Sequence, residues 1–471
     1  MKKILHIGWW TSEYRGGGSI LHVEALMDAL AKMGIKNAYF CGGRYNLLLP
    51  KPYIKKWNKA YTEVYELVNS PNLIWSYDNP KSHTHDKSIE LLFLDIVKHF
   101  DPDLIHFHEL ESLSGCLLPL TKKLKIPYVL DIHNYWFLCP QRDLMDQKKS
   151  ICENWDNGVN CVSCRVIPSS SKIGWMYIGY LRSTFAGIVC EKLVSLLHKQ
   201  RIQHEFSGKA ETDNSISSIH KERRSFFVSE LNKADAVIYP SQRSRALYQD
   251  YGVDNPRSFC VLPLNANYPV IRQKSILPRH CDRIVFGYIG GVLPQKGIHV
   301  LLEAFHAIQV ENKGKCELVI HGAGDRAYED ELKQKSYEDV FFKGKYRPDQ
   351  INTVLHPIHV AIVPSIWEDC SPIVLNELRL SRTPIIGSRI GGIEEAVKHG
   401  INGFLFESGN TTELASYMKR FIDAPEIILD FMKAQDFTFD LADYMEKIKT
   451  IYNLAAKNCD VQSVCIEMVI T

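Results

Sequence analysis

The chain has 471 residues, enough for two domains of ordinary size. Its 45% hydrophobic and 23% charged content is that of a soluble globular protein, and Lys+Arg 56 against Asp+Glu 54 leaves +2, so no global field argues for nucleic acid. The apolar run within Met1 to Trp10 is too short for a signal peptide, no uncharged apolar run reaches the ~18 residues of a membrane span, and an odd 13 cysteines fit a reducing cytoplasm better than a disulfide scaffold.

Ile4 to Trp10 reads as the first strand, and Arg15 to Gly18 as the loop after it. Ser19 would cap the next helix, with Ile20, Val23, Leu26, Met27, Leu30 and Met33 on its apolar face and Gly34 as the stop. A glycine loop feeding a helix N-terminus is an anion site in principle, because glycines let backbone N–H groups face a phosphate. Residues 41–90 mix aromatic, proline and basic residues without a clear period and read as variable connections. Asp101-Pro102-Asp103 precedes the strand Leu104 to His108; at that end of an α/β strand it reads as a turn rather than as a metal-holding pair.

The strand Tyr128 to Ile132 ends at His133, where a side chain can touch a ligand. Cys139, Cys152, Cys161 and Cys164 follow, the last two as Cys-x-x-Cys. Four thiolates could hold a structural zinc, yet the first pair is too widely spaced for a usual zinc ribbon, and a disulfide or no metal at all stay open. Residues 173–198 are apolar and aromatic and read as a helix, either packed on its own domain or lying on a membrane face. Residues 207–224 read as an exposed loop, Ala236 to Ser241 as the last strand of the first half, and Leu262 to Cys281 as a linker.

The second half restarts the pattern. Ile284 to Ile289 is a strand, followed by a loop containing Gly290, Gly291, Lys296 and Gly297, then the helix Ile298 to Ile308. A lysine beside glycine near a helix start suits a phosphate, since its charge adds to the helix dipole. The strand Leu318 to Ile320 leads into His321-Gly-Ala-Gly324, a lone GxG that is weak evidence for NAD. Val360 to Val363 is a buried parallel strand. Ser371-Pro372 then starts a helix, hydroxyl as N-cap and proline first, with Asp369 just before it and Glu377 in its second turn. The strand Pro384 to Gly387 leads to Gly391-Gly392 and a helix carrying Glu394 and Glu395; Gly403 to Phe406 is a further strand. Leu441, Tyr444, Met445, Ile448, Ile451 and Tyr452 recur at helical spacing.

Asp369 and Glu377, eight positions apart around a proline and followed by a Gly-Gly-x-Glu turn, resemble the donor site of family 4 glycosyltransferases: retaining, nucleotide-sugar-dependent enzymes of the GT-B fold. Lys296-Gly297 and the segment Tyr135-Trp-Phe-Leu-Cys-Pro140 are similar to further segments of that family, whereas Gly291 stands where arginine is common. The resemblance implies an α/β protein of two Rossmann-like doubly wound domains facing across a cleft. Residues 1–275 would be the acceptor-side domain with a cysteine-containing and helical insertion, 281–437 the nucleotide-sugar domain, and 438–458 a helix crossing back to the first. It assigns Lys296 and the loop Gly16, Gly17 and Gly18 to the donor diphosphate, and His133 and Asp369 to the sugar, with Glu368 as the acid one residue out of register. Glu377 would take the ribose, Gly344 and Lys345 the base, and Gly391 and Gly392 would offer backbone to the ligand. No cofactor and no catalytic metal are implied. The donor would be a nucleoside diphosphate sugar and the acceptor a hydroxyl of a glycan or lipid-linked glycan, in surface polysaccharide or glycolipid synthesis. The site of action would be the cytoplasm, with contact to the inner membrane face as an option. A nucleotide-sugar epimerase of the same architecture and a non-catalytic nucleotide-sugar-binding scaffold are the rival readings.

Overall fold

The short apolar runs of the sequence become strands buried along nearly their whole length. In the computed structural model all residues are described except 14–16, 45, 47–48, 50, 73–79, 147–150, 153–154, 165–213, 275–282 and 458–471. Gly16 and the apolar segment 173–198 therefore lie outside the described residues. The chain divides into two compact units, one comprising Met1–Tyr239, Arg245–Leu264 and the chain from Met445, the other Pro240–Ser244 and Asn265–Tyr444.

The first unit holds β1 (Lys3–Gly8), β2 (Lys36–Gly42), β3 (Tyr53–Lys59), β4 (Thr62–Val68), β5 (Leu104–Phe107), β6 (Tyr128–Asp131), β7 (Ala236–Tyr239) and β8 (Ser258–Cys260). Their order is β3-β4-β2-β1-β5-β6-β7-β8, parallel throughout except for the β3/β4 hairpin. The second unit holds β9 (Ile284–Ile289), β10 (Cys316–His321), β11 (Val340–Gly344), β12 (Val360–Val363), β13 (Ile385–Ser388) and β14 (Gly403–Phe406). It is wholly parallel in the order β11-β10-β9-β12-β13-β14, the 3-2-1-4-5-6 order of dinucleotide-binding sheets. Both units are thus doubly wound, the α/β class expected.

Alternation along each strand sends side chains to opposite faces and gives the second unit two core layers. Phe286, Leu318, Ile320 and Ile362 pack with Phe305, Met418 and Phe421 on one face. Val319, Ala361, Val363 and Ile385 pack with Leu375, Leu378 and Ile393 on the other. Among the described residues, no helix is long and apolar enough to cross a membrane.

The structure departs from the sequence reading in several places, Met33 among them, which lies past the first helix and is exposed. Residues 53–68, read as irregular, form the β3/β4 hairpin: β3 is an edge strand with exposed Lys55 and Lys56, the charged edge that discourages pairing with another chain. Residues 214–224, read as an exposed loop, belong to a helix over Asn214–Lys233 that buries His220, Arg223 and Arg224. Gly17, not Ser19, is the N-cap of the helix Gly18–Lys32, and the Ser19 hydroxyl donates to Glu109 Oε2 instead at 3.3 Å. Pro372, not Ser371, is the N-cap of the helix Ile373–Leu380, with no side-chain cap. Asp101–Asp103 is a turn as read: Asp101 is left-handed at the end of the helix Lys87–Phe100, and Asp103 Oδ2 accepts from the Lys3 backbone N–H at 2.9 Å.

Candidate functional site

In a doubly wound sheet the crevice opens beyond the carboxyl ends of the strands where the winding reverses. In the second unit the reversal falls between β9 and β12, and the loops leaving these two strands carry Lys296 and Asp369. Lys296 closes a short turn, Pro294–Lys296, and Gly297, left-handed at φ 69°, is the N-cap of the helix Ile298–Gln309. A side chain on Gly297 would collide with the Pro364 carbonyl oxygen just past β12, so only glycine lets the two loops meet. Lys296 Nζ pairs with Asp369 Oδ2 and sits 5.2 Å from the centre of the Trp367 ring.

Gly391 and Gly392 close on the same loop. The Gly392 N–H donates to the Asp369 carbonyl at 2.8 Å, and a side chain on Gly391, at φ 59°, would strike that carbonyl. Glu368 faces elsewhere: it is buried and binds the guanidinium of Arg243, whose Nε donates to Oε2 at 3.2 Å. Glu377 is buried in its helix, and its Oε1 accepts from Asn265 Nδ2 at 2.8 Å and Asn267 Nδ2 at 3.1 Å. Burial pushes its carboxyl up to about 7, the two asparagines offsetting only part of that cost. Gly344, with Lys345 after it, ends β11, two strands from the reversal. A side chain at Gly344 would meet nothing within 4 Å, and at Gly291 only Leu293, from 3.5 Å, so space exists where the resembling family has arginine.

In the first unit the reversal falls between β1 and β5, and Gly17 and Gly18 open the helix that follows β1. His133, after β6, lies in a buried cluster with His22, His108 and Asp131. Its protons can be placed by following the hydrogen bonds. Asn37 Nδ2 donates to the Met27 carbonyl at 2.9 Å, so its Oδ1 faces His6 Nε2 at 3.3 Å, and that nitrogen carries a proton. His6 Nδ1 is then the acceptor for His108 Nε2 at 3.0 Å, which leaves His108 Nδ1 bare. His133 Nε2 lies 3.4 Å from that bare nitrogen and 3.8 Å from Asp131 Oδ2. Two acceptors face one nitrogen, so His133 Nε2 holds the proton and Nδ1 is left with its lone pair. Burial holds the His133 imidazole down at about 3, hence neutral. Burial would raise the Asp131 carboxyl, but His133 and the hydrogen bond from His22 outweigh it and keep it well below the usual range.

His22, His108, Asp131 and His133 bring their ligand atoms within 4.8 Å of one another, spacing a metal ion could use. The protons fit a hydrogen-bonded network better: the Leu264 N–H donates to His22 Nδ1 at 2.7 Å, so His22 Nε2–H points at Asp131, 3.0 Å away. Each unit thus brings together part of the predicted set. The sequence reading missed Asn265 and Asn267, hidden in a supposed linker, and His22, Asp131 and the strand pair His106-x-His108. Two histidines on one strand face at a carboxyl end were the available signal.

Two family models match the chain: glycosyl transferases group 1 over residues 283–424 and glycosyltransferase family 4 over residues 16–171. The lipopolysaccharide 1,2-N-acetylglucosaminetransferase of Salmonella typhimurium is 30% identical over 194 residues, 38% of this chain and 50% of that protein. The glycogen synthase of Thermotoga maritima is 22% identical over 375 residues, 76% of this chain and 69% of that protein. The chain therefore spans half the length of the first of these relatives. Among solved structures, a sucrose-phosphate synthase from Thermosynechococcus elongatus has a TM-score of 0.61 at 15% identity, covering 96% of this chain and 98% of that one. HepE of Anabaena, solved in complex with UDP, has a TM-score of 0.60 at 16% identity, covering 96% and 100%.

Proposed function

From the premise that the chain belongs to the group 1 glycosyltransferases, we propose that it moves a sugar from a nucleoside diphosphate sugar to an acceptor hydroxyl with retention at the anomeric carbon. The observation that carries this reading is the convergence of Lys296, Asp369 and the Gly391-Gly392 turn at the winding reversal of the second sheet. In the reaction the bond from the anomeric carbon to the diphosphate oxygen breaks, a bond to the acceptor oxygen forms on the same face, and the acceptor proton leaves on the diphosphate. The diphosphate gains charge as it departs, and fixed cations and N–H groups aimed at it lower the barrier. Lys296 is that cation, released from Asp369 as the diphosphate takes its place, and the N-terminus of the helix after Gly297 adds its dipole. Asp369, so freed, faces the sugar as positive charge develops there. Glu377 accepts from the ribose hydroxyls, and neutral His133 accepts a hydrogen bond from a sugar hydroxyl at Nδ1. A glycan or lipid-linked glycan of a surface polysaccharide or glycolipid, reached from the cytoplasmic side, is the acceptor class that completes the proposal.

The test is a metal-free thermal-shift panel of UDP, GDP, ADP, dTDP and their common sugars. At ~100 times its Kd a donor stabilises the fold by roughly 2.7 kcal/mol, a visible shift. Response to one base, followed by acceptor-dependent glycoside product, is expected. Sugar conversion without acceptor would make it an epimerase, and binding without turnover a scaffold.

A further inference from the structure

The loop after β6 gathers reactive side chains that the transfer reaction does not use. Leu144 and Met145 pair with Ile151 and Cys152, the Cys152 N–H donating to the Leu144 carbonyl at 2.7 Å. Cys161 and Cys164 lie on one turn, the Cys164 N–H donating to the Cys161 carbonyl at 3.3 Å. Gln141, two residues after Cys139, donates from Nε2 to Cys164 Sγ at 2.8 Å, and that sulfur lies 3.7 Å from the Met145 carbonyl. The main chain therefore brings the three segments that carry Cys139, Cys152 and the Cys161–Cys164 pair against one another.

Beside the cluster two arginines are buried without an acid. Arg223, 2% exposed, donates to His83 Nδ1 and to the carbonyls of Trp136 and Phe137. Burial lowers it to about 9, so it stays charged at neutral pH. Arg224, 6% exposed, donates from Nε to the Leu138 carbonyl and stacks 3.7 Å over Trp155, while among the described residues its buried Nη1 meets no acceptor. Among the described residues, no carboxylate pairs with either guanidinium. Buried charge of this kind costs several kcal/mol per ion unless a counter-charge lies close by. Neutral thiols supply none.

We infer that Cys139, Cys152, Cys161 and Cys164 bind one zinc ion as a structural site whose charge Arg223 and Arg224 neutralise. Four thiolates on a divalent ion carry two negative charges, and the two guanidiniums carry two positive ones. Loading releases four thiol protons to solvent, with no change of oxidation state. The Gln141 N–H at Cys164 is the kind of outer hydrogen bond that orients a thiolate ligand. The thiols must turn toward a common point to bind, because the two sets whose ligand atoms already lie within 4.8 Å of one another, among the described residues, are made of histidines, one of them with Asp131.

The full chain, purified under reducing conditions without chelator or polyhistidine tag, should contain about one zinc per molecule by elemental analysis. Exchange with cobalt should give the intense near-ultraviolet charge-transfer band of thiolate ligands. Cys161→Ser with Cys164→Ser should abolish metal retention, whereas His108→Ala should leave it intact. Arg224→Leu should weaken zinc retention at least tenfold in chelator competition. Should the cysteine variants fail to fold, alkylation of the wild-type thiols must release zinc in step with their modification. Metal-free protein after zinc reconstitution and gel filtration, zinc that survives loss of both cysteines or is lost with His108, or a disulfide within the quartet would each overturn the site.

Discussion

Lys296 and Asp369 neutralise each other, so removing either does two things: it withdraws a group from the reaction and strands a charge that is largely buried. The two effects separate. Lys296→Ala should lower kcat/KM by about 10²–10³, the ~2.7–4 kcal/mol of a lost transition-state contact, and should also lower Tm. Adding Asp369→Asn should recover the Tm but not the rate; recovery of both would make the pair purely structural. Glu377 offers a pH test whose sign follows from burial. Its folded value of about 7 lies above the ordinary 4.5, so the fold favours the neutral acid. That stability is complete below pH 4.5 and is lost as pH rises toward 7, at up to about 1.4 kcal/mol per unit. Urea unfolding across this window should show the loss, and Glu377→Gln should flatten it. Donor affinity should run the other way, improving as the carboxylate ionises to accept the ribose hydroxyls. A donor KM unchanged by Glu377→Gln would detach this residue from the nucleotide.

The loops leaving β9, β12 and β13 meet through glycine as well as through the Lys296–Asp369 pair. Gly391 is left-handed and pressed against the Asp369 carbonyl, whereas Gly344, equally left-handed, faces open space. Gly391→Ala should therefore cost more than ~2 kcal/mol in urea unfolding, and Gly344→Ala only the ~1 kcal/mol of its backbone conformation. Equal costs would mean that the Asp369 loop yields freely. The strands β9, β12 and β14 were legible to the residue as short apolar runs, and Gly391 follows β13, read one residue early as Pro384 to Gly387. The hairpin was not legible, because β3 is half solvated and its lysines and tryptophan carry no single burial pattern. Nor was the bond from Asn265 and Asn267 to Glu377, since no local rule ties residues some 110 positions apart to one carboxylate. Proton placement on His133 was hidden for the same reason: it depends on Asn37, reached through His6 and His108.

At the scale of the whole molecule, the helix Leu441–Ala456 brings the late part of the chain into the first sheet unit. Its periodicity was visible in the sequence and the resemblance implied its return to the first domain, but its contact with His106 was not legible. Tyr452 is 1% exposed and hydrogen-bonds His106 Nδ1 on β5 at 2.8 Å, across 346 positions of sequence. Among the described residues His106 Nε2 makes no hydrogen bond, its carboxylate neighbour Asp131 lying 4.0 Å away, so the tyrosine gives that ring its one hydrogen bond. Tyr452→Phe leaves the shape and removes the bond, which should cost ~1–3 kcal/mol because a buried polar nitrogen loses its partner. The loss belongs to the unit built on β1–β8, whereas Lys296, Asp369 and Glu377 belong to the other. Nucleotide-induced stabilisation should therefore persist in Tyr452→Phe at the same ligand concentration while the urea midpoint falls. If instead the variant lost its nucleotide response with its stability unchanged, the helix would act on donor binding rather than on the fold of the first unit.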